Sequence, residues 1–232
     1  MLLKKWDDLP KYMKTTDVKE YYDQLKKHTF SLVLKRCFDV IVSFLMLVVL
    51  SPVILILALC IKADSRGPVF YRQERITQNG AVFRIFKFRT MVVHADQIGA
   101  LVTTKQDARI TRVGNKIRNL RLDELPQLIN VLLGQMSFVG TRPEVKKYVD
   151  EYSDEMLATL LLPAGVTSLA SIEFKDEDAL ISECTDKGMT IDDAYVKVVL
   201  PKKMVYNLNY LKKMKFCYDI KLCFETVKAV LK

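Results

Sequence analysis

Two adjacent carboxylates, Asp123 and Glu124, combine residue types and a position that could do chemistry. They precede an apolar stripe at helical spacing, which predicts a helix within Arg118–Gly134. Pro126 is tolerated only near the start of such a helix, so both carboxylates fall in its opening turn, where free amides favour anions. Acidic pairs at helix starts are usually caps or partners of the helix dipole, and a catalytic pair is the less common alternative. A polar stripe follows beside the apolar one: Asp123, Gln127 and Asn130.

A β-hairpin is predicted upstream of this pair. Two β-like runs, VFYRQERIT and AVFRIFKFRTM, flank Gln78-Asn79-Gly80, and Asn-Gly is a strong signal for a hairpin turn. Strand alternation places Lys87 and Arg89 on one face, next to two apolar residues. Such a face suits the edge of a site, and a solvated strand end is the alternative interpretation.

Residues 37–61 form an apolar run of 25 residues in which Asp39 is the one charge. As a straight helix the run would reach about 37 Å, more than the roughly 30 Å hydrocarbon core of a bilayer. It begins far from the N-terminus and is too long for the apolar region of a signal peptide, so it predicts a membrane segment. Asp39 follows Arg36 by three residues, a spacing at which the two can pair on one helical face.

Ser51-Pro52 falls near the middle of this apolar run. An interior proline removes a backbone hydrogen bond, and the two arms on either side would be only about 21 and 14 Å long. Basic residues flank both ends of the run, and positive charge marks the cytoplasmic side of a membrane. A re-entrant helix–break–helix hairpin satisfies both observations, and a kinked spanning helix is the alternative.

The charge balance favours a polyanionic partner. The chain has 36 Lys and Arg against 27 Asp and Glu, a net charge of +9, which fits nucleic acid, an acidic membrane surface or phosphorylated substrates. The basic residues are dispersed and the apolar run has no place in a nucleic-acid-binding protein, so we expect no nucleic-acid partner. Two histidines, His28 and His94, are too few for a histidine-rich metal site. Five cysteines without a CxxC pair indicate a reducing compartment and no structural zinc.

Several sequence blocks occur in one order: KRCFDVIVS, LSPVI, GPVFYRQERI, FKFRTM, RITRVGNKIRNLRLDELPQLINVLLGQMSFVGTRPE and PAGVT. Together they closely resemble the bacterial sugar transferase family, the monotopic phosphoglycosyl transferases. The resemblance is strong over residues 33–170 and weaker towards the C-terminus. It implies transfer of a sugar phosphate from a UDP-sugar to polyprenyl (undecaprenyl) phosphate, with release of UMP. That reaction initiates the assembly of a glycoconjugate, which can be a capsule, O-antigen, exopolysaccharide or glycoprotein.

The resemblance also implies a site. The family's catalytic pair falls on Asp123 and Glu124, with Asp123 as the nucleophile that forms a covalent phosphosugar–aspartyl intermediate. Its phosphate-binding positions fall on Lys87, Arg118 and Arg142. Mg²⁺ is the implied cofactor, held by the two carboxylates and by substrate oxygens. Whether Glu124 positions the metal or a proton is left open by the sequence.

The architecture implied is an α+β fold, with a small, mainly helical cytoplasmic domain that contains the β-hairpin. Residues 1–32 are a polar extension, 33–62 are the re-entrant membrane helix broken at Ser51-Pro52, and 63–232 are the catalytic domain. Its C-terminal amphipathic helices suit a membrane interface or the cap of a soluble core. The resemblance also implies a location at the cytoplasmic face of the bacterial inner membrane, with the lipid bilayer as a partner and a homodimer left open. The last apolar stripe consists of Phe216, Ile220, Cys223, Phe224, Val227 and Leu231.

The chain departs from the commonest family pattern at Thr141, Leu162, Ala164 and Leu169. The core mechanism survives these changes, but contacts to the nucleotide and sugar do not transfer, so the donor sugar stays open. The rival interpretations are a membrane-binding protein with a degenerate site and a metal-dependent phosphodiesterase or nuclease. The intact acidic pair argues against the first, and the lack of a His/Asp cluster of the two-metal kind argues against the second.

Overall fold

One long helix leads into a domain of short helices and two small sheets. A computed structural model describes residues 2–93, 95, 107–174 and 176–230, so His94 and Leu231 lie outside the described residues. The α-helices are α1 (Thr16–Lys26), α2 (Thr29–Asp64), α3 (Arg112–Asn119), α4 (Gln127–Leu132), α5 (Lys146–Val149), α6 (Leu169–Glu173), α7 (Glu177–Asp186), α8 (Ile191–Ala194), α9 (Leu200–Lys213) and α10 (Phe216–Val230). The strands are β1 (Phe70–Ile76), β2 (Val82–Phe88), β3 (Met136–Val139) and β4 (Ala164–Thr167). This architecture confirms the predicted helical α+β domain.

The apolar run lies within α2, a helix of 36 residues that is long and apolar enough to cross a membrane. Only 6% of its most apolar window is buried inside the protein, which leaves that surface available to lipid. The helix continues through Ser51 and Pro52, so the predicted separation into two helices is not observed. The Ser51 hydroxyl donates to the Val48 carbonyl at 2.8 Å, the acceptor that an N–H at position 52 would have used. This bond explains why the helix tolerates the proline, and the re-entrant course stays a prediction.

The predicted pairing of Arg36 with Asp39 is wrong. Arg36 instead donates to the carbonyls of Val131 and Leu132 at 2.8 and 2.9 Å, at the C-terminal end of α4. The Asp39 carboxylate accepts from the backbone N–H of Phe138 in β3 at 3.1 Å. Both side chains therefore bond to backbone groups of the domain. The i, i+3 spacing rule cannot predict these bonds, because it considers only neighbours on one helix.

A buried ion pair joins the start of α2 to the C-terminal helix. The Lys35 ammonium lies 2.7 Å from the Asp219 carboxylate of α10 and donates to the Val139 carbonyl at 2.6 Å. The Tyr210 hydroxyl donates to the other oxygen of Asp219 at 2.8 Å. Each charge therefore has hydrogen-bond partners, which a buried ion pair needs to offset its desolvation.

The other end of α2 is attached to the same domain. Arg89 is 5% exposed and donates to the carbonyls of Ser65 and Arg66 at 2.7 and 2.6 Å, just past the helix end. The Asp64 carboxylate accepts from the backbone N–H of Val113 at 3.0 Å, in the first turn of α3. Arg89 thus caps the C-terminal end of α2. Of the two cations predicted on one strand face, Lys87 and Arg89, the second therefore has a structural role.

The predicted hairpin is confirmed. β1 and β2 pair antiparallel, and Tyr71 lies opposite Lys87. The turn between them has Asn79 at φ 58° and Gly80 at φ 73°, positive values that the Asn-Gly signal anticipates. β3 and β4 form a separate parallel pair. The hairpin therefore delivers Lys87 to the end of β2, away from the turn.

The N-terminal residues pack on the domain through α1. The helix begins with the Thr15 side chain accepting from the N–H of Val18, and it buries Val18, Tyr21, Tyr22 and Leu25 in the main apolar core. That core also includes residues of α9 and α10. The polar extension predicted for residues 1–32 therefore contributes one apolar face to the fold.

The C-terminal amphipathic helix is present as α10, but its buried face differs from the predicted stripe. Leu222 is fully buried, whereas Phe224 and Val227 are 72% and 57% exposed. The helix faces the core through Asp219 and Leu222 because Asp219 is tied to Lys35. Two residues of the predicted stripe are thus left as exposed apolar surface.

Candidate active site

Asp123 and Glu124 lie in a single 3₁₀ turn, Leu122–Glu124, between α3 and α4. The turn follows Arg121, whose φ of 53° places it in the left-handed region and reverses the chain after α3. The helix predicted over Arg118–Gly134 is therefore too long, since α4 begins only after Pro126. A left-handed arginine is not visible in a periodic apolar pattern. The acidic pair still precedes a helix, at the tip of a tight turn.

The polar stripe predicted beside the pair serves to position it. Asn130 is fully buried, and its carboxamide accepts from the Phe86 N–H at 2.8 Å and donates to the Arg84 carbonyl at 3.0 Å. Gln127 is also buried. Asn130 therefore fastens α4 to β2, which sets the acidic turn against the strand that carries Lys87.

Glu124 is held by two cations at once. Its Oε1 accepts from the Lys87 ammonium at 2.9 Å and from the Arg142 guanidinium at 2.6 Å. Burial alone would raise the pKa of Glu124, but attraction to Arg142 and Lys87, with a hydrogen bond from each, holds that pKa well below its usual range. The pKa of Arg142 is raised above its ordinary value, chiefly by Glu124. The two cations therefore favour the ionised form of Glu124, and Glu124 in turn fixes both cations in place.

Asp123 differs from its neighbour. Burial raises the pKa of Asp123, and the Glu124 charge adds to the rise, while Lys87 and Arg118 oppose it. Burial also lowers the pKa of Lys87, against the opposing pull of Glu124. The two adjacent carboxylates thus have pKa values pushed apart, a pattern typical of sites where acids have different roles.

Asp123 opens into a cavity of about 370 Å³. Its described lining includes six cationic side chains and Asp123 as the one carboxylate. The cations are Arg72, Arg75, Lys87, Arg89, Arg109 and Arg118. Phe70, Tyr71 and Phe88 add an aromatic wall. A cavity with this charge suits a ligand that carries several negative charges, such as a diphosphate.

The structure brings the five predicted site residues together. Lys87 and Arg142 contact Glu124 directly, and Arg118 lines the same cavity as Asp123. Arg118 is oriented by a bond from its Nε to the Thr90 hydroxyl at 2.9 Å. Their chemical roles stay predictions.

Sequence reasoning missed the contribution of β1 to the cavity. Five residues of that strand line it: Phe70, Tyr71, Arg72, Gln73 and Arg75. The signal in the sequence was the Asn-Gly turn, because it fixes the register that sets Tyr71 opposite Lys87. Arg109 also lines the cavity, and no local pattern singled it out.

The two carboxylates of the acidic turn fit the requirements of Mg²⁺ to different degrees. The described residues contain no group of three or more His, Cys, Asp or Glu side chains that could hold a metal by themselves. Mg²⁺ is commonly bound by one or two carboxylates together with substrate phosphates, so Asp123 at the cavity wall fits that pattern. Glu124 fits less well, because Lys87 and Arg142 already occupy its Oε1.

Comparison with known proteins gives the family. The model of the family described as bacterial sugar transferase matches residues 30–232. This chain belongs to the bacterial sugar transferase family. A UDP-glucose:undecaprenyl-phosphate glucose-1-phosphate transferase of Klebsiella pneumoniae is 34% identical over 201 residues, 85% of this chain and 40% of that protein. An undecaprenyl-phosphate glucose phosphotransferase of Komagataeibacter xylinus is 37% identical over 84% of this chain and 35% of that protein.

A third relative differs in the sugar. A UDP-N-acetylgalactosamine-undecaprenyl-phosphate N-acetylgalactosaminephosphotransferase of Aeromonas hydrophila is 32% identical over 85% of this chain and 44% of that protein. The chain thus spans less than half the length of these three relatives. The family match begins at residue 30, so α1 lies outside it. The printed names of these relatives give two different sugars, glucose and N-acetylgalactosamine.

Proposed function

We propose that this bacterial sugar transferase moves a sugar 1-phosphate from a UDP-sugar to undecaprenyl phosphate and releases UMP. The observation that carries the proposal is the position of Asp123, a carboxylate of raised pKa at the wall of a cavity lined by six cations. A cavity of this charge suits a nucleotide diphosphate. The product would begin the assembly of a glycoconjugate.

The proposed chemistry has two displacements at one phosphorus. An Asp123 carboxylate oxygen attacks the phosphorus that bears the sugar, and the bond from that phosphorus to the bridging oxygen breaks. UMP leaves with the bridging oxygen and its electron pair, and the phosphosugar is held on Asp123 as an acyl phosphate. A phosphate oxygen of the lipid then attacks the same phosphorus, which breaks the acyl phosphate bond and restores the carboxylate.

The cations explain how a carboxylate can approach a diphosphate. Lys87 lies between Glu124 and the cavity, and Arg118 lines the cavity with Asp123. Fixed positive charge at the place where negative charge gathers lowers the barrier, because it costs no reorganisation. Glu124 acts by holding Lys87 and Arg142 in these positions. Asp123 would hold Mg²⁺ together with the substrate, and the ion would supply further charge neutralisation at the phosphates.

The proposed membrane arrangement follows from the attachments of α2. Lys35 and Arg36 near its start and Asp64 at its end bind one and the same domain. A helix that returned to its own side would make such contacts, which supports a re-entrant course with the domain on the cytoplasmic face of the inner membrane. The exposed Phe224 and Val227 of α10 suit contact with the same interface.

The test is a panel of UDP-sugars assayed for UMP with undecaprenyl phosphate and Mg²⁺. We expect one or a few donors to give UMP and lipid-linked sugar in equal amounts, with no turnover when the lipid phosphate is omitted. Mass spectrometry of enzyme with donor alone should show a phosphosugar adduct on the protein. UMP formation that ignores the lipid, or a rapid-quench sample without adduct, would contradict the acceptor or the intermediate respectively.

A further inference from the structure

A second cavity, of about 160 Å³, shares part of its wall with the first. Gln73 and Arg75 of β1 line both this cavity and the larger one. Arg142 forms part of its wall and donates to Glu124. The second cavity is therefore separated from the acidic turn by the length of one arginine side chain.

The lining of the second cavity differs in kind from that of the first. Its described charged residues are Arg75, Arg142, Lys203, Glu144 and Glu177, a nearly even balance. Carboxylates accept hydrogen bonds and ammonium and guanidinium groups donate them, so this wall can satisfy groups that do both. Sugar hydroxyls are such groups. The larger cavity, with six cations to one carboxylate, suits phosphates instead.

The polar groups of the second cavity are held in place by one another. The Tyr195 hydroxyl donates to Glu144 Oε1, and the Lys203 ammonium donates to the Tyr195 hydroxyl at 3.0 Å. Lys203 also lies 3.2 Å from the Glu177 carboxylate. The rings of Tyr195 and Tyr148 pack with centroids 4.5 Å apart. Such mutual bonding orients a binding site before the ligand arrives, which reduces the entropy lost on binding.

The backbone at Tyr195 is also unusual. Residues Tyr195–Val199 form a π-helical turn between α8 and α9. Such turns are rare and occur often at functional sites, because they redirect one side chain out of the regular helical series. Here the turn presents Tyr195 to the cavity.

We propose that the second cavity binds the sugar ring of the donor and that Glu177 and Lys203 select among sugars. This inference rests on the proposed function. The sugar is attached to the phosphorus that Asp123 attacks, so it must lie beside the acidic turn, whereas the uridine is one phosphate further away. The second cavity meets that requirement through Arg142, and the larger cavity accommodates the phosphates and uridine.

The experiment compares donors within one enzyme. Glu177→Gln and Lys203→Met are assayed for kcat/KM with UDP-glucose, UDP-N-acetylgalactosamine and the donor preferred by the wild type, and for the Ki of UMP. We expect the ratio of kcat/KM between two donors to change by about 5- to 20-fold, since a polar group that loses its partner discriminates strongly. The Ki of UMP should stay within about twofold of the wild-type value, because UMP has no sugar at that phosphate. Glu183→Gln is the matched control, an exposed residue of the same helix that pairs with Lys187.

Each outcome decides the proposal. A UMP Ki that rises in parallel with KM would show that the cavity binds the nucleotide, which overturns it. Unchanged donor ratios in both folded variants, beside an active wild type, would remove the sugar subsite and leave the transfer reaction standing. A wild type that releases no UMP from any UDP-sugar would defeat the reaction itself, and the subsite with it. Thermal unfolding of each variant shows that it is folded, and Lys203→Met decides alone if Glu177→Gln fails to fold.

Discussion

The guanidinium of Arg142 donates to Glu124 Oε1 at 2.6 Å, and this bond joins the loop before α5 to the turn that carries Asp123. Lys87 donates to the same oxygen from β2. Three separate parts of the chain thus meet at one carboxylate atom. Removing Arg142 should therefore affect chemistry more than folding, because Lys87 still neutralises Glu124.

For Arg142→Ala we expect kcat/KM for UMP formation to fall by roughly 10²- to 10³-fold, the usual cost of losing one preorganised donor at a transition state. Arg142→Lys should recover part of the loss, since the structure shows one bond from Arg142 to Glu124 and an ammonium can make it. Arg84→Ala is the control, because Arg84 is an exposed residue of the β1–β2 hairpin and pairs with Glu74 at the surface. Equal losses in Arg142→Ala and Arg84→Ala would contradict a role for Arg142 at the site.

Asp123→Asn should abolish turnover and the phosphosugar adduct, with a loss of at least about 10³-fold because no second nucleophile replaces it. The same change should raise the melting temperature at pH 7.5. Burial raises the pKa of Asp123 in the folded chain, so the folded state binds that proton more tightly than the unfolded state does. The resulting stability is present below the unfolded pKa and is lost as pH rises through the folded pKa.

The side-chain amide in Asp123→Asn carries no charge, so this variant avoids the loss of stability that ionisation of Asp123 causes as pH rises. An increase of about 2 °C would correspond to roughly 1 kcal/mol in a domain of this size. Asp150→Asn, a surface carboxylate paired with Lys146, serves as the control and should change neither activity nor melting temperature. Normal product formation by Asp123→Asn would exclude Asp123 as the nucleophile.

The pH at which UMP release falls on the acid side should shift in opposite directions when Lys87 and Glu124 are replaced. Asp123 must be ionised to attack, so UMP release falls as pH drops through its raised pKa. Lys87 lowers the pKa of Asp123 and Glu124 raises it. Lys87→Met should therefore move the acid limb to higher pH, and Glu124→Gln should move it to lower pH.

The measurement is the UMP burst with donor alone, because omitting the lipid phosphate removes its own titration from the profile. The informative quantity is the midpoint pH of the burst amplitude, in addition to the amplitude itself. A purely structural role for both residues would lower the burst without moving its midpoint. Shifts of the same sign in the two variants would contradict the proposed electrostatic coupling.

Local chemistry made part of this fold predictable. The positive φ angles of Asn79 and Gly80 follow from residue type, so the hairpin and its register could be read from four or five neighbouring residues. The true partners of Arg36 and Asp39 could not, because they are backbone groups about a hundred residues away. The start of the predicted helix was also wrong, because the left-handed Arg121 separates α3 from the acidic turn and a periodic apolar pattern does not reveal it.

The candidate site, like the fold, was predictable from the sequence only in part. The acidic pair was conspicuous in the sequence, and resemblance to a family placed Lys87 in the same site. The contact of Glu124 with Lys87 joins residues 37 positions apart and was not predicted. The cavities depend on how β1, the loop before α5 and the C-terminal helices meet. The spacing of residues along the sequence does not show how these elements pack, so Tyr195 and Lys203 were not predicted as cavity residues.

The buried pair of Lys35 and Asp219 should hold the membrane helix to the domain. Asp219→Asn leaves the Lys35 ammonium buried without its counter-charge, and we expect the free energy of unfolding to fall by about 3–5 kcal/mol. Lys35→Met should cost a similar amount for the reverse reason. The double variant with Lys35→Met and Asp219→Asn should lose clearly less than the sum of the two single losses, because neither charge is then left unpaired.

Unfolding of detergent-solubilised protein, followed by intrinsic fluorescence, measures these losses. Glu225→Gln is the matched control, because Glu225 belongs to the same helix and pairs with Lys221 at the surface, where such pairs contribute about 0–1 kcal/mol. Strict additivity of the two single variants would show that the pair is not coupled. In that case the attachment of α2 would depend on its apolar contacts and on Arg36, and Arg36→Met would then be the more damaging change.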